Sequence, residues 1–442
     1  MSDVLEARDL YATAFDRHRR DTAGAEPAWL QALRQRAIDR FLALGFPTTH
    51  DEEWRFTSVA PIASRPFEPA DTVAVDLPED ACASFVAAVR GPRLVFVNGR
   101  FAPRLSRTPG LPADTEIGTL DAALARDASL LEHQLGRLAT FDDRAFTALN
   151  TGLMRDGAFV RIPAGAVLED PVQLLFLSAP GATPFVTHPR VLVLAGAQSQ
   201  CQVVESYAST GPGIHFTNAV TEIVLGEQAV VDHYKINHES IEAFHVGSMH
   251  VQLARRANFS SHAITFGGRL VRNEALAVLD GEGDECTLNG LYLVDGERLV
   301  DNHTTIDHAR AHGNSHEVYK GVLDGRGRGV FNGKIIVRQD AQKTDAKQTN
   351  KALLLSEHGQ INTKPQLEIF ADDVRCTHGA TVGQLDADQL FYLRARGIGR
   401  SHARRMLIHA FAGDVLMQVR IPELRAMLEA TLSAKLPDEV RA

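Results

Sequence analysis

The chain has 442 residues, 44% hydrophobic and 23% charged, which suits two or three domains or one extended domain with appendages. A formal charge of -9 excludes a general nucleic-acid binder, which would carry a basic excess. No run approaches the roughly 18 apolar residues of a membrane span, and MSDVLEARDL lacks the apolar core of a secretion signal, so the sequence predicts a soluble protein of a reducing cytosol.

Residues 1-155 read as a mostly helical N-terminal domain with linkers. Leu5, Leu10 and Ala14, then Trp29, Leu33, Ile38, Phe41 and Leu42, recur at helical intervals, and Gly45 with Pro47 stops the second helix. THDEEWRFTSVAPI, residues 49-62, carries an acidic cluster and Trp54, and Pro61, Pro66 and Pro69 then interrupt regular structure. A short strand at residues 94-97 runs into the turn dipeptide Asn98-Gly99, and helical periodicity returns over residues 120-149. Nothing in this module points to chemistry.

Residues 156-385 change texture to short alternating apolar runs. Candidate strands are 159-163, 172-177, 190-195, 219-225, 229-236, 250-253, 275-280, 290-295, 321-324, 334-337 and 366-370. Crossover helices are missing between them, which argues against a doubly wound sheet. Leu279-Asp280-Gly281, Val294-Asp295-Gly296 and Leu323-Asp324-Gly325 each end an apolar run, at spacings of 15 and 29. Units of that size, strand then tight corner, favour a parallel β-helix over a sandwich.

Several constellations in this region have ordinary explanations. DGRGRGVFNGK, residues 324-334, lacks the GK-[ST] ending of a phosphate loop and continues as strand, so its glycines read as corners of a coil. His303, His308, His312 and His316 lie on strand and loop without an HExxH pattern and read as surface or corner histidines. Asp340, Asp345, Asp372 and Asp373 could serve a β-helical carbohydrate-active enzyme, the alternative function. The low aromatic content, 7%, leaves little for stacking on sugar rings.

The stretch EIFADDVRCTHGATVG, residues 368-383, is the most informative. Cys376 and His378 are two apart on a candidate strand, so both side chains leave the same face, roughly 7 Å apart at their Cα atoms. The four cysteines, Cys82, Cys201, Cys286 and Cys376, are too widely spaced for a zinc site or a disulfide framework. Residues 386-442 return to helix as a C-terminal helical domain. Met406, Leu407, Ala410 and Phe411 form an apolar stripe opposite Arg404, Arg405 and His409, and Pro422 starts a last helix. From Arg394 onward nine Lys/Arg face five Asp/Glu, a basic tail on an acidic body that suggests a docking segment.

The run from Tyr319 to Ile398 resembles the SufB/SufD family of iron-sulfur cluster assembly scaffolds. FLALGFPTTHDEEWRFTSV (41-59) and ARRMLIHAFAGDVL (403-416) are also similar to that family. Cys376-Thr377-His378-Gly379 resembles the SufD branch, where the SufB branch has Glu-His-Glu. The resemblance implies a right-handed parallel β-helix between helical terminal domains, without enzymatic activity of its own. It implies a complex with a SufB-like homologue, met through the last rungs, and with the ABC-type ATPase SufC. SufC would dock on the C-terminal helices, here Arg404, Arg405, Met406, Leu407, Ala410 and Phe411, and ATP would bind on SufC alone. His378 matches the family's histidine for cluster formation, with Cys376 beside it, in a nascent iron-sulfur cluster shared with SufB and coupled to iron acquisition. A flavin in the complex and a homodimer of the isolated chain stay open on these grounds.

Overall fold

The computed structural model describes residues 2-22, 24-70 and 77-436. Residues 1, 23, 71-76 and 437-442, which fall within the predicted terminal domains, lie outside that range. Its centre is a parallel β-solenoid with two walls. Strands Gly157–Ile162, Arg190–Ala195, His215–Leu225, Phe244–Leu253, Leu270–Leu279, Leu299–His308, Arg328–Val337 and Gln360–Ile369 stack in order to make one wall. Val172–Ser178, Gln200–Ser209, Val230–His238, Asn258–Thr265, Glu285–Val294, Asn314–Leu323, Asp345–Leu354 and Arg375–Gly383 make the other. The chain passes between the walls at each corner, so every strand finds its parallel neighbours one coil before and one coil after.

Leu270 lies beside Leu299 and Leu299 beside Arg328, so a coil takes 29 residues here. The sequence spacing of 15 is thus the step from one wall to the other, and 29 is a full turn. Corners hold these steps with residues at positive φ: Gly296 at 60° and Gly325 at 58°, where a side chain would be strained. Gly325 and its neighbours are therefore coil corners, while Gly329 and Gly333 sit within a strand.

Four solenoid strands escape the alternation rule, and their composition says why. Leu299–His308 reads LVDNHTTIDH because polar residues line both of its faces. Asn302 and Thr304 turn into the lumen, and Asp301 and His303 turn outward against the N-terminal segment. Gln200–Ser209, Asn258–Thr265 and Asp345–Leu354 carry similar inward polar residues. The expectation of surface histidines needs correction for the same reason. His308 is fully buried with its Nε2 2.9 Å from Ser315 Oγ, and burial pushes its pKa down to about 4. His303 is half-buried, and only His312 and His316 are exposed.

Each wall's outer face is covered by a different terminus. Helices Ala28–Leu44 and Ala145–Leu153 pack Ile38, Phe41, Phe146 and Leu149 over Phe216, Phe244, Leu270 and Leu299 of the first wall. Helices Arg400–Leu416 and Pro422–Lys435 pack Ile408, Ala412, Val415, Leu424 and Leu428 over Tyr234, Ile236, Leu291 and Leu293 of the second. Burying each such large side chain contributes about 1.5–3 kcal/mol, so both termini are integral to the solenoid. The first module is also less separate than its helical pattern suggests. Arg93–Val97 pairs in parallel with Val172–Ser178, and Glu116–Thr119 pairs antiparallel with Gly157–Ile162, extending both walls past the first coil.

Candidate functional site at the open end of the solenoid

The last coil has no coil beyond it. Among the described residues Gln360–Ile369 pairs only with Arg328–Val337, and Arg375–Gly383 only with Asp345–Leu354, so both walls end in strands with one free edge. Free edges present unpaired N–H and C=O groups that template pairing with another strand. The side chains match this. Every residue of Arg375–Gly383 is at least partly exposed, and Ile369, Phe370 and Val382 are 41%, 63% and 50% exposed. Ile369 and Val382 share the inward rows of buried Val337 and Ala352, so they form part of an apolar lumen left open.

Cys376 and His378 lie on one side of Arg375–Gly383, and strand register identifies that side. Cys376 pairs with Ala346 and His378 with Gln348, both buried and inward, so thiol and imidazole point toward the lumen axis of the final coil. Their surroundings differ. Cys376 is half-buried against an apolar plug of Ile335, Val337, Ala341, Ala346 and Ala371. Burial, helped by the Asp345 carboxylate, raises its thiol pKa and disfavours the thiolate that binds metal. His378 is exposed at the mouth. Among the described residues no group of three or more His, Cys, Asp or Glu side chains is arranged to hold a metal ion.

The carboxylates considered for glycoside chemistry are engaged with lysines or stand apart. Asp345 pairs with Lys347 at 3.2 Å, Asp373 with Lys343, and Asp340 and Asp372 are exposed at corners. The helix Arg400–Leu416 buries a different face from the stripe expected of it. Ala403, Ile408, Ala412, Val415 and Leu416 are buried, whereas Met406 is 41% exposed, Ala410 is exposed and Leu407 is half-buried. The phase is set by the wall beneath: Lys320 Nζ donates to Phe411 O at 2.8 Å and lies 4.9 Å from the Phe411 ring, and Arg404 Nη2 donates to Leu355 O at 3.1 Å. Met406, Ala410 and half-buried Leu407 therefore belong to an outer face, while Arg404 and Phe411 hold the helix down.

Two features carried little sequence signal. Phe391 and Tyr392 are 72% and 58% exposed on helix Ala387–Ala395, which follows the last coil in the chain and packs against helix Arg400–Leu416. The run LFYL signalled them, but helical periodicity alone assigns such residues to a core. The acidic cluster HDEEW proves to be a latch. Arg272, buried under Trp54 with its guanidinium 3.8 Å from the ring centroid, donates to Asp301 Oδ2 at 2.6 Å, Glu274 Oε1 at 2.7 Å and Glu53 O at 2.8 Å. Thr57 Oγ1 donates to the same Asp301 oxygen at 2.6 Å, His303 bridges Asp301 and Glu53 at 3.0 and 3.2 Å, and Lys364 Nζ reaches Glu52 at 2.6 Å. The His303 bond, working against burial, holds the Glu53 carboxyl down to about 2. The latch thus fastens the N-terminal segment to the last coils, beside the open end.

A two-walled solenoid covered along both flanks, closed at one end and open at the other with a thiol and an imidazole at the mouth, defines a β-solenoid protein with one uncapped end. Comparison with known proteins gives that class a family. Residues 177–411 match the model described as SUF system FeS cluster assembly, SufBD core domain, and residues 5–174 match the SufBD protein N-terminal region. The chain belongs to the SufBD family of iron-sulfur cluster assembly proteins. It is 35% identical over 423 residues to an iron-sulfur cluster assembly SufBD family protein of Synechocystis, covering 93% of this chain and 92% of that one. It is 30% identical to the iron-sulfur cluster assembly protein SufD of Escherichia coli K12, covering 92% and 93%. Against SufD of Bacillus subtilis 168 the identity is 26%, covering 93% and 95%.

Proposed function

We propose that this chain is a non-enzymatic scaffold subunit that pairs through its open coil with a SufB-like homologue. His378, with Cys376 behind it, would contribute to a nascent iron-sulfur cluster, the cargo of the assembly, formed at the seam. The observation that carries this reading is the pair of unpaired edge strands, with the imidazole exposed between them. A related solenoid offers matching edges and an apolar lumen of its own, so one contact would satisfy backbone groups, cover Ile369 and Val382, and add the missing ligands. A site divided between two chains opens when they part, which suits a scaffold that must release its cluster and take up iron again.

The outer face of the C-terminal helices, with Met406, Leu407, Ala410 and, by continuity, Phe391 and Tyr392, is assigned to a SufC-type ABC ATPase. Energy for parting the two solenoids would come from ATP on that partner. Four unpaired cysteines support a reducing, cytosolic setting.

Two measurements test the reading. His378→Ala in the reconstituted three-protein complex should lower cluster yield severely with assembly intact, and an undiminished yield removes the ligand role. Met406→Asp combined with Ala410→Asp leaves the buried face of the helix untouched and should abolish co-purification of the ATPase. Retained binding refutes the docking assignment. Sedimentation of the isolated chain, alone and with the homologue, shows whether two copies use the same edges when no partner is present.

A further inference from the structure

Apolar residues line part of the open coil, but the row directly beneath His378 is polar. The inward row His233, Ser261, Leu288, Glu317, Gln348 and His378 runs up one wall, each residue paired with the next by strand register. Neighbouring strands stand about 4.8 Å apart, so His378 lies one strand spacing above Gln348 and two above Glu317. Glu317 and Gln348 are 1% and 2% exposed, unusual positions for such side chains.

Their arrangement has a direction. Gln348 Nε2 donates to Glu317 Oε2 at 2.8 Å, which turns the amide nitrogen toward the carboxyl group. The amide oxygen is left over: Gln348 Oε1 is buried and has no hydrogen-bond partner. A buried acceptor without a donor costs about 1–3 kcal/mol, so the amide is held in place against a standing penalty. The wall opposite makes room for it. A Cβ added at Gly333 would come within 2.0 Å of Gln348 Nε2 and 2.7 Å of its Cδ, so this strand carries glycine where the amide crosses the lumen.

We infer that Gln348, its amide oriented by Glu317, is the positioning residue for His378: its free Oε1 accepts the N–H of one ring nitrogen and leaves the other, unprotonated nitrogen directed out of the coil. An imidazole binds metal only through a nitrogen without a proton, and the hydrogen bond at the other nitrogen decides which one that is. Glu317 supplies the acceptor that fixes the amide, and Gly333 the space. The inference rests on the proposed ligand role of His378 for its functional meaning; in the structure Gln348 Oε1 has no partner, and the imidazole one strand spacing above must turn onto it to make the bond.

The test reads the ring itself. With imidazole ¹⁵N labelling, the full chain without partners or metal is examined at about pH 8.5, where an ordinary histidine of pKa about 6.5 is neutral. His378 is expected in one tautomer in the wild type. Gln348→Met keeps length and removes the acceptor, and the ratio should relax to that of a histidine in an unfolded peptide. Glu317→Gln retains an oxygen that accepts Gln348 Nε2–H, and the single tautomer should persist. An unfolded-peptide ratio in the wild type, a ratio unmoved by Gln348→Met, or one released by Glu317→Gln in a folded chain each overturns the inference. Should Gln348→Met fail to fold, Gly333→Ala displaces the amide from the opposite wall and should release the tautomer, and a single tautomer surviving it counts against the inference. Within the three-protein complex, Gln348→Met should lower cluster formation about 10-fold or more, the usual effect of losing a ligand's supporting hydrogen bond. The tautomer needs no cluster, so its outcome is separable from that of His378→Ala, which judges the ligand role alone.

Discussion

The two ends of the solenoid are made from the same kind of strand and treated in opposite ways. At the first coil, Val172–Ser178 is buried throughout, and Gly157–Ile162 nearly so, because Arg93–Val97 and Glu116–Thr119 pair with their free edges. Phe96 and Phe176 stack at 5.0 Å across that added layer, and Phe176 stacks on Tyr207 at 5.1 Å. At the last coil no strand among the described residues is added, and apolar inward residues stay uncovered. The chain has the means to seal an end and uses it once. An end sealed by the chain's own strands is a matter of stability, and on the function proposed above an end left open is a matter of partners.

Breaking the sealed end should have the largest effect. Phe96→Ala removes a buried ring from the cap and is expected to lower unfolding free energy by about 3–5 kcal/mol in urea titration, while Phe370→Ala at the open end should change it by less than about 0.5 kcal/mol. Equal losses would erase the contrast. The latch beside the open end comes next. Arg272→Ala takes the guanidinium away from buried Asp301 and half-buried Glu274, which keep only His303 and Arg144 as charged partners, and a loss of about 3 kcal/mol is expected, with early proteolysis near residues 49-57.

A smaller effect separates the lumen near the open end from the lumen near the sealed end through pH. Burial raises the Glu317 pKa from 4.5 to about 7. A carboxyl raised on folding contributes stability that is fully present below pH 4.5 and lost as pH climbs toward 7. Glu317→Gln should therefore gain roughly 2–3 kcal/mol relative to wild type at pH 8, shrinking toward pH 4.5. Glu205, in the lumen one coil in from the sealed end, goes the other way. Burial alone would raise it, but its hydrogen bond to His233, the charges of His233 and Lys235 and the Tyr207 hydroxyl together hold it down to about 2, so its contribution is present above pH 4.5 and lost as pH falls toward 2. Unfolding curves of wild type and Glu317→Gln across this range check the sign. The smallest effect on stability belongs to Val382→Lys, expected within about 0.5 kcal/mol because the side chain is half exposed, yet it should abolish association with the homologous partner in sedimentation.

Much of the architecture was legible. Strands such as Arg190–Ala195, RVLVLA, announce themselves through continuous apolar character, and the Asp-Gly corners carry the period of the coil. The i, i+2 spacing of Cys376 and His378 puts them on one face of any strand. What escaped is where polar residues are buried. Leu299–His308 and Asp345–Leu354 look like surface because Asn302, Thr304, Gln348 and Asn350 sit in a lumen that tolerates hydrogen-bonded polar groups. Buried His308 was mistaken for a corner residue on the same ground. The stripe of Arg400–Leu416 is split by the fold, because Phe411 and Met406 look equally apolar in sequence and only the wall below chooses which of them it covers.

The sequence by itself determined the elements, the coil period and the pairing of thiol with imidazole on one strand face, since these follow from side-chain periodicity and turn chemistry within a few tens of residues. The tertiary structure alone decided which end is sealed, that the inward row carries Glu317 and Gln348 up to His378, and that HDEEW clamps Arg272 some 220 residues away. Those are register and long-range pairing. They depend on which distant strand lies alongside, a choice made by the summed burial of whole walls, and no local pattern encodes it.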